Sequence, residues 1–195
     1  TMPVFTDLGL APGGVNIVAD HLAIGGADSI KMYVGGLPAM KTNPLNYMVT
    51  WSVDGLINEY RDDCLVLEDG EIKTVRGMDG LEEVEGESFG KMEAFYTSGG
   101  ASHSILSMQA RGVKNCSYKT MRYRGHGEMV KFLIRDCDLD DKTLAKIFQE
   151  GCGMANKDEV FIVAEVKGQD HRWRKEKVIK SDKRFSAMQK ATAFS

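Results

Sequence analysis

The densest chemical cluster in the chain is Arg122-Tyr123-Arg124-Gly125-His126. Two guanidiniums, a phenol and an imidazole fall where an expected strand gives way to an expected helix, and side chains converge at such a sheet edge. A guanidinium fork suits a carboxylate, and an imidazole is the group best placed to titrate near neutral pH. This spacing points to anchoring of an acidic substrate beside a proton donor or acceptor. The bland alternative is a solvated basic corner with His126 capping the helix. Glu93 opens the otherwise apolar run Glu93-Ala94-Phe95-Tyr96-Thr97, where a carboxylate either meets a substrate amine or faces solvent from an edge. Gly35-Gly36-Leu37-Pro38 directly follows a strand, and paired glycines let the backbone approach a ligand or another segment closely. Asn43-Pro44-Leu45-Asn46-Tyr47 sets a turn opener before an aromatic hydroxyl.

Other chemistries find no support in the residue pattern. Neither G-x-G-x-x-G nor G-x-x-x-x-G-K-[ST] occurs, and the glycines at 9, 13 and 14 lack the spacing of a phosphate cradle, although amides at a helix start can face an anion. Cys64, Cys116, Cys137 and Cys152 form no C-x-x-C pair and match no zinc or haem pattern, so neither a metal nor a disulfide framework is expected. They read as reduced, mostly buried thiols of a cytoplasmic protein. His21, His103 and His171 read as structural. The run Arg172, Arg174, Lys175, Lys177 around Trp173 divides its charges between two strand faces. With 25 basic against 28 acidic residues, the net charge of −3 argues against a nucleic-acid partner. No stretch reaches the ~18 apolar residues of a membrane span, so no membrane partner is expected.

The elements that must hold these residues are those of one domain. The 195 residues are 43% hydrophobic and include 21 glycines, about one in nine against a usual ~7%, which favours a sheet-rich fold with tight turns. Val15, Val18, Ala19 and Leu22 form the apolar stripe of a helix, with Pro12 as its first residue. Alternation marks strands through Ile30, Met32 and Val34 and through Leu45, Tyr47, Val49 and Trp51. Ser52 is placed to cap a helix through Leu56, Ile57 and Tyr60. A hairpin spans Cys64 to Val75, followed by strands over Met92 to Thr97 and Val113 to Tyr123. Between those two strands a helix is expected over Ser102 to Met108. Further helices are expected through Met129 to Cys137 and from Asp140 to near Gly151. A closing hairpin, Val160 to Val166 and His171 to Ile179, precedes a helix over Phe185 to Phe194. The opening segment, Met2 to Leu8, reads as extended. Both ends fall inside expected structure, so the chain reads as part of a longer protein.

Taken in order, Asp7 to Leu22, Tyr33 to Tyr60, Glu93 to Gly100, Tyr118 to His126 and Phe185 to Phe194 resemble the C-terminal domain of the saccharopine dehydrogenase and lysine 6-dehydrogenase family. The likeness spans nearly the whole chain and rests on the order and spacing of motifs that are individually weak. It implies an α+β domain, a largely antiparallel or mixed sheet with helices packed on one face, that binds substrate and forms a homodimer. It implies an N-terminal Rossmann domain, absent from this chain, that holds NAD or NADP, so residues 1–195 are expected to bind no cofactor and to be inactive alone. The reaction implied is hydride transfer at a C–N bond of an amino-acid or secondary-amine substrate. By the same resemblance Gly35, Gly36, Leu37 and Pro38 form the substrate loop, Tyr47, Trp51 and Ser52 the following wall, and Arg122 and Tyr123 the strand end beside it. Asp54 stands where saccharopine reductases tend to carry Arg, and His126 where they more often carry an aromatic, which leans toward the lysine 6-dehydrogenase-like branch. Arg122 or Arg124 is then expected to anchor a carboxylate, Glu93 or Tyr123 to orient the amine, and His126 to relay a proton. The competing expectation is a non-catalytic binding or assembly module that keeps the fold without the chemistry.

Overall fold

Strands form where β-branched and aromatic residues crowd together. In this computed structural model, which describes residues 8–101 and 103–193, the strands are β1 (Ser29–Pro38), β2 (Cys64–Glu68), β3 (Glu71–Val75), β4 (Glu82–Gly86), β5 (Gly90–Tyr96), β6 (Asn115–Arg122), β7 (Asp158–Lys167) and β8 (Arg172–Lys180). They make one mixed sheet in the order β3-β2-β6-β1-β7-β8, with β5 also paired to β6 and β4 to β5. β1 runs parallel to β6 from Ser29–Asn115 to Val34–Thr120, and antiparallel to β7 along its whole length. These three strands are buried on both faces; β1 and β7 read accordingly as apolar-rich runs, whereas β6 also buries Lys119, Thr120 and Arg122. Asp69 and Gly70, both at positive φ, make the two-residue turn joining β2 to β3. At the other edge β8 carries Arg172, Arg174, Lys175, Lys177 and Lys180, charges that discourage further strand pairing.

Among the described residues six α-helices cover the sheet: α1 (Gly14–Leu22), α2 (Val53–Arg61), α3 (Ser104–Ala110), α4 (His126–Lys131), α5 (Asp141–Lys146) and α6 (Ala187–Ala193). One face packs Ile30, Met32, Val34, Tyr118 and Ala164 against α1, α3 and α6. The opposite face packs Tyr33, Leu37, Met121, Phe161 and Val163 against α2, α4, α5 and the β4–β5 hairpin. That hairpin folds back far enough for Phe89 to meet Phe161 edge-on at 5.7 Å and for Arg174 Nη2 to donate to the Glu85 carbonyl at 2.5 Å.

The α+β class and mixed sheet are as expected. The helices, however, lie on both faces rather than one, because the central strands carry apolar side chains on both sides. Pro12 precedes the helix instead of opening it: residues 9–13 close a tight loop, and α1 starts at Gly14. The strand expected from Leu45 to Trp51 is absent. Leu45 and Asn46 sit at φ 59° and 52°, and only Val49 makes a bridge, to Met154, so the alternation reflects burial of Tyr47 and Val49 rather than a ladder. α4 and α5 continue as wider π turns over Phe132–Asp136 and Ile147–Cys152. Residues 2–7 of the expected extended segment, Ser102 and Phe194 lie outside the described residues.

Candidate functional site

β1 and β6 are the parallel pair, and ligands of α/β sheets gather beyond the carboxyl ends of such strands. A cavity of about 390 Å³ opens there, within the usual range for small-molecule sites. Val34 and Gly36 of β1 and Tyr118, Thr120 and Arg122 of β6 form its floor. α2 contributes Glu59, the preceding turn Trp51, α6 Met188 and Thr192, and residues 9–12 close the remaining side. Gly36 leaves this room: a Cβ there would sit 2.8 Å from Met188 Sδ and 3.3 Å from Thr50 Oγ1, displacing the Met188 side chain.

Arg122 supplies the site's positive charge. It is 2% exposed, its Nε donates to Tyr60 Oη at 2.7 Å, and its Nη1 donates to the Met121 carbonyl at 2.9 Å. The Tyr47 and Tyr60 rings lie 5.0 and 5.6 Å from its Cζ. Burial disfavours the cation, but the surrounding Tyr60, Tyr47 and Glu59 outweigh that and raise its pKa, so it stays charged. Glu59 lines the same cavity as a partly buried carboxyl. Burial pushes it up to about 7 against the opposing pull of Arg122. Among the described residues no ion pair joins Glu59 to Arg122. A group of each sign is therefore available to one occupant, and one of them changes protonation near neutrality.

Of the residues singled out in the sequence, Gly36, Trp51 and Arg122 meet in this cavity. The others do not line it. Gly35 packs its Cα on the β6 backbone, where a Cβ would come 2.8 Å from the Met121 carbonyl oxygen. Leu37 is fully buried in the opposite core layer, and the Pro38 carbonyl accepts from Tyr123 Oη at 2.8 Å. Tyr47 is buried behind Arg122, with its ring centroid 5.1 Å from that of His126. Ser52 caps α2, its Oγ accepting from Gly55 N at 3.3 Å. Arg124 is exposed and pairs with Glu83 at 3.6 Å. The Glu93 carboxylate accepts the amides of Gly125, at 2.7 Å, and Gly127, which commits it to the start of α4. His126 is fully buried outside the cavity. Burial and then the Arg122 charge push it down to about 3, so the imidazole is neutral. Glu59, Tyr60, Tyr118 and Thr120 escaped the sequence reading. Glu59 had one signal: it stands three residues after Leu56, on the arc of α2 that is otherwise apolar.

The loop of residues 9–14 does not fit a phosphate. Its amides are spent inward: Gly9 N on the Pro12 carbonyl, Gly14 N on the Gly9 carbonyl and Gly13 N on Asn16 Oδ1. Among the described residues no group of His, Cys, Asp and Glu could hold a metal ion, and no helix is long and apolar enough to cross a membrane. Burial raises the thiols of Cys64 and Cys116 to about 12 and that of Cys152 to about 11, which makes them poor nucleophiles.

A mixed α+β sheet with a charge-lined cavity beyond the parallel pair β1–β6 defines the class of domain. The chain belongs to the saccharopine dehydrogenase C-terminal domain family, whose profile matches residues 9–195. It is 36% identical over 84 residues to the NADP⁺, L-glutamate-forming saccharopine dehydrogenase of Saccharomyces cerevisiae, a match covering 39% of this chain and 19% of that protein. It is 27% identical over 141 residues to the corresponding protein of Pyricularia oryzae, covering 67% of this chain and 31% of that one. The matches thus span under a third of those relatives' length. The apo saccharopine dehydrogenase (L-Glu forming) structure from S. cerevisiae superposes with a TM-score of 0.68 at 16% identity, covering 96% of this chain and 62% of that one. Homospermidine synthase from Legionella pneumophila, solved with NAD, gives 0.55 at 11% identity, covering 89% and 49%. At these identities the likeness to both structures is one of fold.

Proposed function

We propose that this chain is the substrate-gripping part of an NAD(P)-dependent oxidoreductase acting at a C–N bond of an amino acid or secondary amine. The observation that carries the reading is the pairing of Arg122 and Glu59 across one cavity. Arg122 receives the substrate carboxylate through a charge-assisted hydrogen bond. Glu59 faces the amine and takes its proton, so that the nitrogen lone pair is free when the adjacent C–H bond gives up hydride. Trp51 walls the cavity, and α6 shields it from water. The nicotinamide is assigned to another part of the protein, since residues 9–14 do not suit the cofactor's phosphates. The relatives' names place saccharopine and homospermidine among the substrates to test. The lysine 6-dehydrogenase-like branch adds lysine, although Asp54, exposed in the first turn of α2, is not among the cavity residues. The reading includes assembly as a homodimer in the cytoplasm, the former checked by sedimentation of the full-length protein.

The test is a dehydrogenase assay of the full-length gene product with lysine, saccharopine and homospermidine and with NAD⁺ and NADP⁺ in turn. Lysine or saccharopine, which carry a carboxylate, should be oxidised, and Arg122→Ala should raise the KM by about tenfold or more. Oxidation of homospermidine alone, which has no carboxylate, removes the anchor. An unchanged KM removes the anchor. Binding of an amine without turnover under any pairing replaces the enzyme reading with a non-catalytic binding module.

A further inference from the structure

Two nitrogens of Arg122 are tied down by bonds whose directions follow from the groups that make them. Nε carries only a hydrogen, so Tyr60 Oη must accept from it, at 2.7 Å. The Leu45 carbonyl can only accept, so the proton of His126 lies on Nδ1, 2.8 Å away. His126 Nε2 therefore presents a lone pair, and the Tyr60 hydroxyl donates to it at 2.9 Å. All three side chains are at most 2% exposed, so no bulk water substitutes for a missing member. With Nη1 committed to the Met121 carbonyl, the guanidinium plane cannot turn. Among the described residues Nη2 has no hydrogen-bond partner, and Arg122 lines the cavity. A tyrosine hydroxyl suits this role because it accepts and donates at once, and a neutral imidazole suits it because its buried ring offers one donor and one acceptor.

We propose that Tyr60 is a positioning residue for carboxylate recognition, fixing Arg122 by its Nε while His126 fixes the phenol. This rests on the reading of Arg122 as the substrate's carboxylate anchor. It replaces the proton-relay role that the sequence suggested for His126: the imidazole acts through Tyr60 and Arg122 and does not itself touch substrate.

The experiment compares binding of L-lysine and of 1,5-diaminopentane, which lacks only the carboxylate, to the full-length protein by calorimetry. The wild type should prefer lysine by about tenfold or more, and Arg122→Ala should erase the preference. Tyr60→Phe should cut the preference by about three- to tenfold and leave diaminopentane affinity unchanged, a split that general loosening of the fold would not produce. If Tyr60→Phe keeps the wild-type preference while Arg122→Ala loses it, the positioning role is overturned and the anchor stands. If the wild type shows no preference, or binds neither probe, the anchor falls and the positioning role with it. Should Tyr60→Phe fail to fold, nitrogen NMR of the wild-type imidazole decides. The proposal requires a neutral His126 with its proton on Nδ1 throughout pH 5–8, and a proton on Nε2 or titration within that range overturns it.

Discussion

Glu59 and His126 are perturbed in opposite senses, and the consequence for stability against pH can be worked out group by group. The Glu59 carboxyl is raised from 4.5 to about 7 in the fold, so the folded state holds its proton more tightly than the unfolded chain does. Its favourable contribution is complete below about pH 4.5 and is lost as pH rises to about 7. His126 is lowered from 6.5 to about 3, so its contribution is complete above pH 6.5 and is lost as pH falls toward 3. Between about pH 4.5 and 6.5 the two slopes cancel. Urea denaturation of the wild type should therefore show little pH dependence from these groups in that window. Glu59→Gln should uncover the His126 slope, losing stability steadily as pH falls below 6.5. At pH 8 the same variant should exceed the wild type by roughly 2 kcal/mol, because an ionised carboxylate no longer has to be held in a partly buried site. A Glu59→Gln curve parallel to the wild type would show that this carboxyl is not perturbed. This also explains what could be read from residue types. Arg122 and Gly36 were picked out by local chemistry and Trp51 by the family resemblance, and the structure brings the three to one cavity. Glu59 was hidden because its meaning depends on which side of α2 faces a cavity built from other segments. His126 looked like the titrating group until its burial was known.

At the scale of single elements the local rules served well where a side chain caps its own helix. Ser52 and Asp140 were readable as N-caps, and Asp140 Oδ1 does accept from Thr143 N at 2.8 Å. They failed where the cap comes from elsewhere. α4 begins at Gly125, in the left-handed region at φ 93°, with no cap from its own side chain. The carboxylate that serves it is Glu93 on β5, thirty-odd residues upstream and directly opposite Arg122 in the ladder. Gly127 fits tightly there as well, since a Cβ would come 3.0 Å from the Phe95 ring and 3.1 Å from Glu93 Oε1. Alternation likewise misled at Leu45 to Trp51, because burial of every second residue does not supply a partner strand. Glu93→Gln leaves one oxygen to accept one backbone N–H and sets the amide NH₂ against the other, in a site that is 7% exposed. It should cost about 1–3 kcal/mol and lower Tm by about 3–8 °C in a scanning calorimeter. The preference for carboxylate-bearing ligands should persist, since Glu93 lies outside the cavity. Loss of that preference with Tm unchanged would return Glu93 to the substrate.

At the scale of the whole molecule the cavity is assembled from both ends of the described chain. Its floor belongs to β1 and β6, but its walls include residues 9–12 and α6, separated by some 180 positions. A single buried carboxylate holds the later wall. Asp158, 3% exposed at the start of β7, accepts from Ala187 N at 2.7 Å through Oδ1 and from Met188 N at 3.0 Å through Oδ2. It thereby caps α6 and ties it to the central ladder, where Asp158 pairs with Pro38. The helix is too short to persist without such a tie, and Met188 and Thr192 reach the cavity only if it does. Asp158→Ala should release α6 before the rest of the sheet yields, since the β1–β7 ladder remains intact. Trypsin should then cut at Lys183 and Arg184, in the exposed segment leading into α6, about tenfold faster than in the wild type. Lysine binding should weaken in parallel, and saturating lysine should slow the cleavage by restoring the wall. Cleavage and binding both at wild-type levels would mean that α6 is held by its apolar contacts with β7 and β8 and by Lys190, which reaches the Lys180 carbonyl and Asp182, and that Asp158 does not govern closure of the cavity.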